Sequence, residues 1–171
     1  MDVQSLKYCA EYHLWATKRL ALSLEQISDH DFYADCGLFF HSVFGTLNHL
    51  VLGERDLWFA RFQGKSTPIV ALNRIVETDR AALISALNAS AAAWYDFIIQ
   101  LDHHKIPQQL HYITSAGQKI SLPYLKTLWH VLNHATHHRG QMTVALTQQG
   151  YQCPELDMVY MLLEQQISIG S

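Results

Sequence analysis

Trp129-His130-Val131-Leu132-Asn133-His134-Ala135-Thr136-His137-His138-Arg139-Gly140-Gln141 places four histidines within nine residues of a segment with helical periodicity. Leu125, Leu128, Val131, Leu132, Ala135, Met142, Val144 and Leu146 supply apolar positions around most of its circumference, so this helix should lie centrally among others. Pro123 stands at its start, where a missing N–H costs nothing. Gly150 follows its end, suited to the residue after a last turn.

Within this helix His134 and His138 are four apart and stand one above the other on one face, with His130 a turn further back. Two imidazoles so related can grip one ion from the same side. Eight residues of helix put ~12 Å between His130 and His138, so one ion cannot use both. Spacing alone leaves two pairs, His130/His134 and His134/His138. His137 points about 100° away from His138 and is a neighbour of such a site at best. Ala135 follows His134, which excludes the His-Glu-x-x-His helix of zinc proteases. No Asp or Glu occurs between Leu122 and Gln149, which excludes a carboxylate-bridged di-iron bundle. One ion held mainly by neutral nitrogen is what remains.

Working outward, three more long helices are expected. The first spans about Ser5 to Leu24, with Leu6, Cys9, Ala10, His13, Leu14, Ala16, Thr17 and Leu20 at spacings of three and four. Ser28 to Asp31 reads as a turn or short capped helix, and Gly37 breaks any helix between Phe32 and Phe40. The second long helix spans about Ser42 to Phe62, with Glu54 and Arg55 among its polar positions. His49 sits there among Leu47, Leu50, Val51 and Leu52, and burying its nitrogens bare would cost a few kcal/mol. It needs a hydrogen-bond partner or a metal. Gly64 to Pro68 is a loop, and an alanine-rich third helix covers about Glu77 to Leu101, with His103 and His104 at its C-terminal end. Leu110 to Leu122 reads as a short hairpin turning around Ser115 to Gln118, with Gly117 left-handed. A last short helix should start at Pro154, with Glu155 and Asp157 in its first turn and Val159, Tyr160, Leu162 and Leu163 packing back. The expected fold is all-α: a four-helix bundle with a crossover connection and a hairpin before helix four, in one domain over residues 1–171.

The 171 residues carry a net charge of −3, with twelve Lys and Arg scattered along the chain, Lys18-Arg19 being adjacent. No basic stripe tracks phosphates, so nucleic acid is not an expected partner. Cys9, Cys36 and Cys153 are far apart and form no C-x-x-C motif, which fits a reducing cytoplasm. Asp2, Lys7 and Glu11 interrupt the N-terminus, which does not read as a signal peptide. No run approaches ~18 consecutive apolar residues, so no membrane span is expected. If His49 faces the helix-four pair, three imidazoles leave positions open for water or substrate. Imidazole suits zinc, nickel, iron or copper, so ligand type does not name the ion.

Leu128 to Gln141 resembles the helix-four motif of the DinB/YfiT-like superfamily. Tyr12-His13-Leu14-Trp15-Ala16 is similar to its helix-one signature, with His13 where Asn is common. Leu47-Asn48-His49-Leu50 resembles its helix-two histidine motif, and Glu155-Leu156-Asp157-Met158-Val159-Tyr160 its tail. The resemblance implies a crossover four-helix bundle and a metal triad of His49, His134 and His138, with His130 only a helix neighbour. It implies one divalent ion, zinc or nickel first, then iron or manganese, and frequent homodimers. Relatives of this kind include bacillithiol S-transferases and mycothiol-dependent isomerases, and the family name reflects DNA-damage induction rather than DNA binding. The implied function is a metal-dependent transferase that activates a low-molecular-weight thiol for attack on a small electrophile, with His137 as a proton-moving group. The competing expectation is a non-catalytic stress-related protein that binds metal or a small ligand.

Overall fold

Asp2 opens the first helix, its carboxylate accepting from the Ser5 backbone N–H at 2.7 Å; α1 (Val3–Gln26) follows. The structure is a computed structural model that describes residues 2–114 and 116–169. Ser28 caps the short α2 (Asp29–Tyr33). Ser42 caps a continuous helix α3 over residues 43–62, α-helical at Val43–Val51, π-helical at Leu52–Phe59 and α-helical again at Ala60–Phe62. Asp79 caps α4 (Arg80–Ile99). β1 (Gln109–Ile113) and β2 (Lys119–Pro123) pair antiparallel, Leu110 opposite Leu122 and Tyr112 opposite Ile120, with Gly117 at φ +83° in the turn. Ser115, expected in that turn, lies outside the described residues. The histidine-rich α5 (Tyr124–Gln148) starts directly after Pro123 and ends before Gly150 at φ +82°. The last helix is α6 (Met158–Ile169).

The described chain is mostly helical, with one small sheet. Helix α1 packs most extensively on α4 and also on α5, while the first part of α3 packs on both α4 and α5. Ala91 of α4 is fully buried, as are Ala10 and Ala16 of α1, and these small side chains permit close approach. By length and composition α4 is apolar enough to cross a membrane, and in this fold it packs on α1 and on the first part of α3.

The core divides into two apolar clusters. One gathers Leu20, Leu24, Leu47, Leu50, Leu83, Leu87, Ala135 and Met142, and the other Leu6, Ala10, Phe62, Trp94, Ile98, Leu128 and Leu132. Along α1, α3 and α4 buried polar residues fall between the two (His13 and Thr17, Glu54, and Ser90), and Arg139 of α5, set between Ala135 and Met142, reaches His13 and Thr17. Each buried Leu contributes roughly 1.5–3 kcal/mol, so the two clusters can sustain the fold while the layer between them holds polar groups.

Four expectations are corrected. Glu54, expected only as a polar position, is fully buried, because it stands four residues after Leu50 and seven after Leu47 on the stripe that faces the core. The last helix starts at Met158, not Pro154, and Glu155 and Asp157 precede it. Among its described side chains Met161 is the buried one, whereas Val159, Leu162 and Leu163 are about half exposed. His103 and His104 lie in a turn beyond the end of α4, not within its last turn.

Candidate metal centre

The site is assembled where the first part of α3 meets the middle of α5. His134 Nε2 stands 3.2 Å from His49 Nε2 and 3.1 Å from His138 Nε2. One ligand atom from each of the three residues lies within 4.8 Å of the others. Nitrogens bound tetrahedrally at 2.0–2.1 Å from one ion stand ~3.3 Å apart, close to the two short separations.

The far side of each ring decides what the near side can do. His49 Nδ1–H donates to the Leu72 carbonyl at 2.8 Å, and His138 Nδ1–H donates to Gln141 Oε1 at 2.8 Å. Both bonds place the proton on Nδ1 and leave an Nε2 lone pair facing the shared space, as in metal-ligating histidines. His134 differs, since its Nδ1 is enclosed without a partner among the described residues. Burial, then repulsion from His138, His49, His130 and His137, pushes the His134 imidazole down to about 3. Burial likewise pushes His138 down to about 4 against the Gln141 bond, and lowers His49 against the Leu72 bond. All three are neutral near pH 7, the form that binds a metal without first losing a proton. The donor set, its spacing and its protonation fit one divalent ion.

Two loops hold this arrangement, and neither was visible in the histidine pattern. Asn48 is fully buried, and its Oδ1 accepts from the Val76 and Glu77 backbone N–H groups at 2.8 and 3.0 Å, which fixes the loop carrying Leu72. On the other side the chain folds back over α3. His41 adopts φ +68°, and Gly45 meets the Phe40 carbonyl so closely that a Cβ there would sit 2.1 Å from the oxygen. This lays the Phe40 ring on His49, centroids 3.9 Å apart and 18° from parallel, and 5.9 Å from His138. A cavity of about 680 Å³ opens beside it, lined by Phe39, Phe40, Phe44, Leu72 and Ile75 among others.

His130 does not join the three. Its ring lies 5.9 Å from His134 and packs edge-on to Trp58 at 5.4 Å. His137 is exposed, and its Nε2 accepts from Gln141 Nε2–H at 3.1 Å, so Gln141 links it to His138. Sequence reading missed Gln141, although its place three residues after His138 on one helix face was a usable signal.

Behind the imidazoles lies the buried polar layer. Arg139 donates to His13 Nδ1 at 2.9 Å and to the Thr136 and Thr17 hydroxyls. His13 Nε2 faces Glu54 Oε2 at 3.5 Å, and neither Glu54 oxygen has a hydrogen-bond partner among the described residues. Burial raises the Glu54 carboxyl to about 8, opposed by Arg139, and burial with Arg139 repulsion holds His13 well below its usual range. At neutral pH the His13–Glu54 contact therefore joins two uncharged groups, and Arg139 carries the layer's charge.

A mostly helical chain in which neutral imidazoles from two helices converge on one space defines a class: helical proteins whose histidine centre could hold a single metal ion. The pattern of the DinB family matches residues 1–167, and the chain belongs to that family. It is 26% identical over 147 residues to Protein DinB of Bacillus subtilis (strain 168), covering 82% of this chain and 84% of the relative.

Proposed function

We propose that His49, His134 and His138 hold one divalent ion, zinc or nickel, and that the protein is a thiol-dependent transferase acting on small electrophiles. The observation that carries this is the convergence of three Nε2 atoms, two of them with their Nδ1 protons committed elsewhere. A bound ion would act as a Lewis acid, lowering the pKa of a thiol and offering it the coordination positions the imidazoles leave open. The thiol sulfur then attacks the electrophilic carbon, the leaving group departs with its bonding pair, and the thiol proton passes to solvent. In this proposal His137, its ring centroid 5.0 Å from that of His138, takes that proton on the Nε2 lone pair that Gln141 now engages and releases its Nδ1–H to solvent. The Phe40 ring covers one flank of His49, and the apolar cavity beside it suits an apolar electrophile.

Single-turnover mixing of metal-loaded protein with low-molecular-weight thiols and an electrophilic probe tests this. The expected result is thiol consumption that requires the ion, with His137→Ala keeping its metal but turning over about 10²-fold more slowly. A loaded protein inert to every thiol would sink the transferase reading and leave a non-catalytic binder of metal or a small ligand.

The packing of α1, α3, α4 and α5 supports a crossover four-helix bundle: α3 and α4 run the same way, so the long connection at 63–79 returns along the bundle, whereas α4 and α5 run oppositely. A cytoplasmic homodimer is part of the same proposal. Its support is the exposed apolar stripe Met158, Val159, Leu162, Leu163 and Ile167 on α6, alongside the alanine-rich α4. Light scattering should give twice the monomer mass; a monomer at every concentration would remove the dimer from the proposal.

A further inference from the structure

Arg61 is a buried cation with nothing anionic to answer it. The residue is 6% exposed, and its guanidinium makes no hydrogen bond or ion pair with any described residue. Nε is fully enclosed and unpartnered, whereas the terminal nitrogens are not enclosed. Its only partners are aromatic: Cζ lies 4.7 Å from the Trp58 ring and 4.7 Å from the Tyr112 ring, in the corner these rings form at 5.3 Å from each other. Such rings hold a guanidinium in place, but they supply no acceptor for its planar fork of N–H groups. Arg139, the other deeply buried arginine, spends its N–H groups on His13, Thr17 and Thr136. Arg61 spends none.

Its position relative to the imidazoles gives this a meaning. From His134 the contacts pass to His130 at 5.9 Å, from His130 to Trp58 at 5.4 Å, and from Trp58 to Arg61 at 4.7 Å. The row runs along the α3–α5 boundary toward the hairpin, away from the Phe40 cavity. A small molecule with one end at the imidazoles could lie along it and reach the guanidinium.

We propose that Arg61 is an anion-binding residue: its terminal N–H groups receive a carboxylate or phosphate of the small-molecule substrate, whose reactive end faces the three-histidine centre. A planar, permanently charged fork pre-oriented by aromatic contacts matches such oxyanions in two-point fashion, which a lysine point charge does not. The anion site stands on Arg61, Trp58 and Tyr112 alone; only the direction of the reactive end rests on the metal reading.

The test uses the full-length protein, as purified and after chelation, titrated with benzoate, with inorganic phosphate and with uncharged benzamide. The Arg61 Nε–H resonance reports contact directly. A saturable shift with benzoate or phosphate but not benzamide is expected in both preparations, and which anion binds more tightly identifies carboxylate or phosphate. Arg61→Met should weaken that binding about tenfold or more at unchanged helix content, and Arg61→Lys should retain part of it. If Arg61→Met does not fold, the wild-type shift and the Arg61→Lys comparison carry the test. No saturable shift, equal binding by Arg61→Met, or binding abolished by chelation would each overturn the proposal. Anion binding at Arg61 by a protein that never retains metal would instead sink the metal reading alone.

Discussion

His134→Ala will leave the purified protein with under about a tenth of the wild-type metal after dialysis against metal-free buffer, at unchanged helix content. The reason is the central place of His134, whose Nε2 is 3.1–3.2 Å from both other Nε2 atoms. Loss of a residue that merely orients a ligand already weakens metal binding by roughly 10–100-fold, so loss of a ligand should exceed that. His49→Ala and His138→Ala should behave alike, since either leaves two nitrogens. Gln141→Ala should fall in the milder range, because it removes only the acceptor of the His138 Nδ1 proton. His130→Ala should keep the ion, its ring being turned to Trp58. Helix content should persist because neither apolar cluster is built from these rings, so metal adds stability by linkage rather than creating the fold. An emptied site in His130→Ala beside a filled one in His138→Ala would show that the other pair binds.

The metal-free protein should be most stable near pH 6.5 and lose stability on both sides. On the acid side, His13, His49, His134 and His138 all have folded-state pKa values below the usual 6.5. Below that pH the unfolded chain takes up protons that the folded chain refuses, so stability falls as pH falls. For sealed His13 the slope is about 1.4 kcal/mol per pH unit, and the three partly wetted imidazoles add in the same direction. On the alkaline side Glu54 governs. Its folded pKa is raised from 4.5 to about 8, so across that span the folded protein keeps a proton the unfolded chain has lost. Stability then falls as pH rises, by about 2 kcal/mol between pH 6.5 and 8. Glu54 and His13 oppose each other between 4.5 and 6.5, where the other imidazoles tip the balance. Urea midpoints across pH would show the two limbs, and Glu54→Gln should flatten the alkaline one. A wild type equally stable at pH 6.5 and 8 would mean that Glu54 is ionised against Arg139.

Much of the chain was readable because helix formation leaves local marks. Ser42, at the expected start of the second long helix, accepts a backbone N–H bond there, and Gly117 and Gly150 take the left-handed positions that end a strand turn and a helix. The His134–His138 relation is equally local, fixed by one turn of α5. The family was legible too, because its motifs are short stretches whose spacing survives without any knowledge of packing.

What the sequence could not decide are relations made across space. Spacing left His130/His134 and His134/His138 equivalent; it is the packing of α3 on α5 that brings His49, 85 residues before His134, against one pair and turns His130 to Trp58. Glu54 shares the stripe of Leu47 and Leu50 yet is polar, and only the packing of α3 shows that it is fully buried beside His13. The Phe40 lid depends on a left-handed His41 and on a glycine at 45 that lets two backbone segments touch. Arg61 looks like any helix-end cation until the hairpin lays Tyr112 beside it. Periodicity follows from bonds within one helix, whereas burial, ring protonation and ligand convergence depend on which other segment arrives, and that is determined only when the whole chain packs.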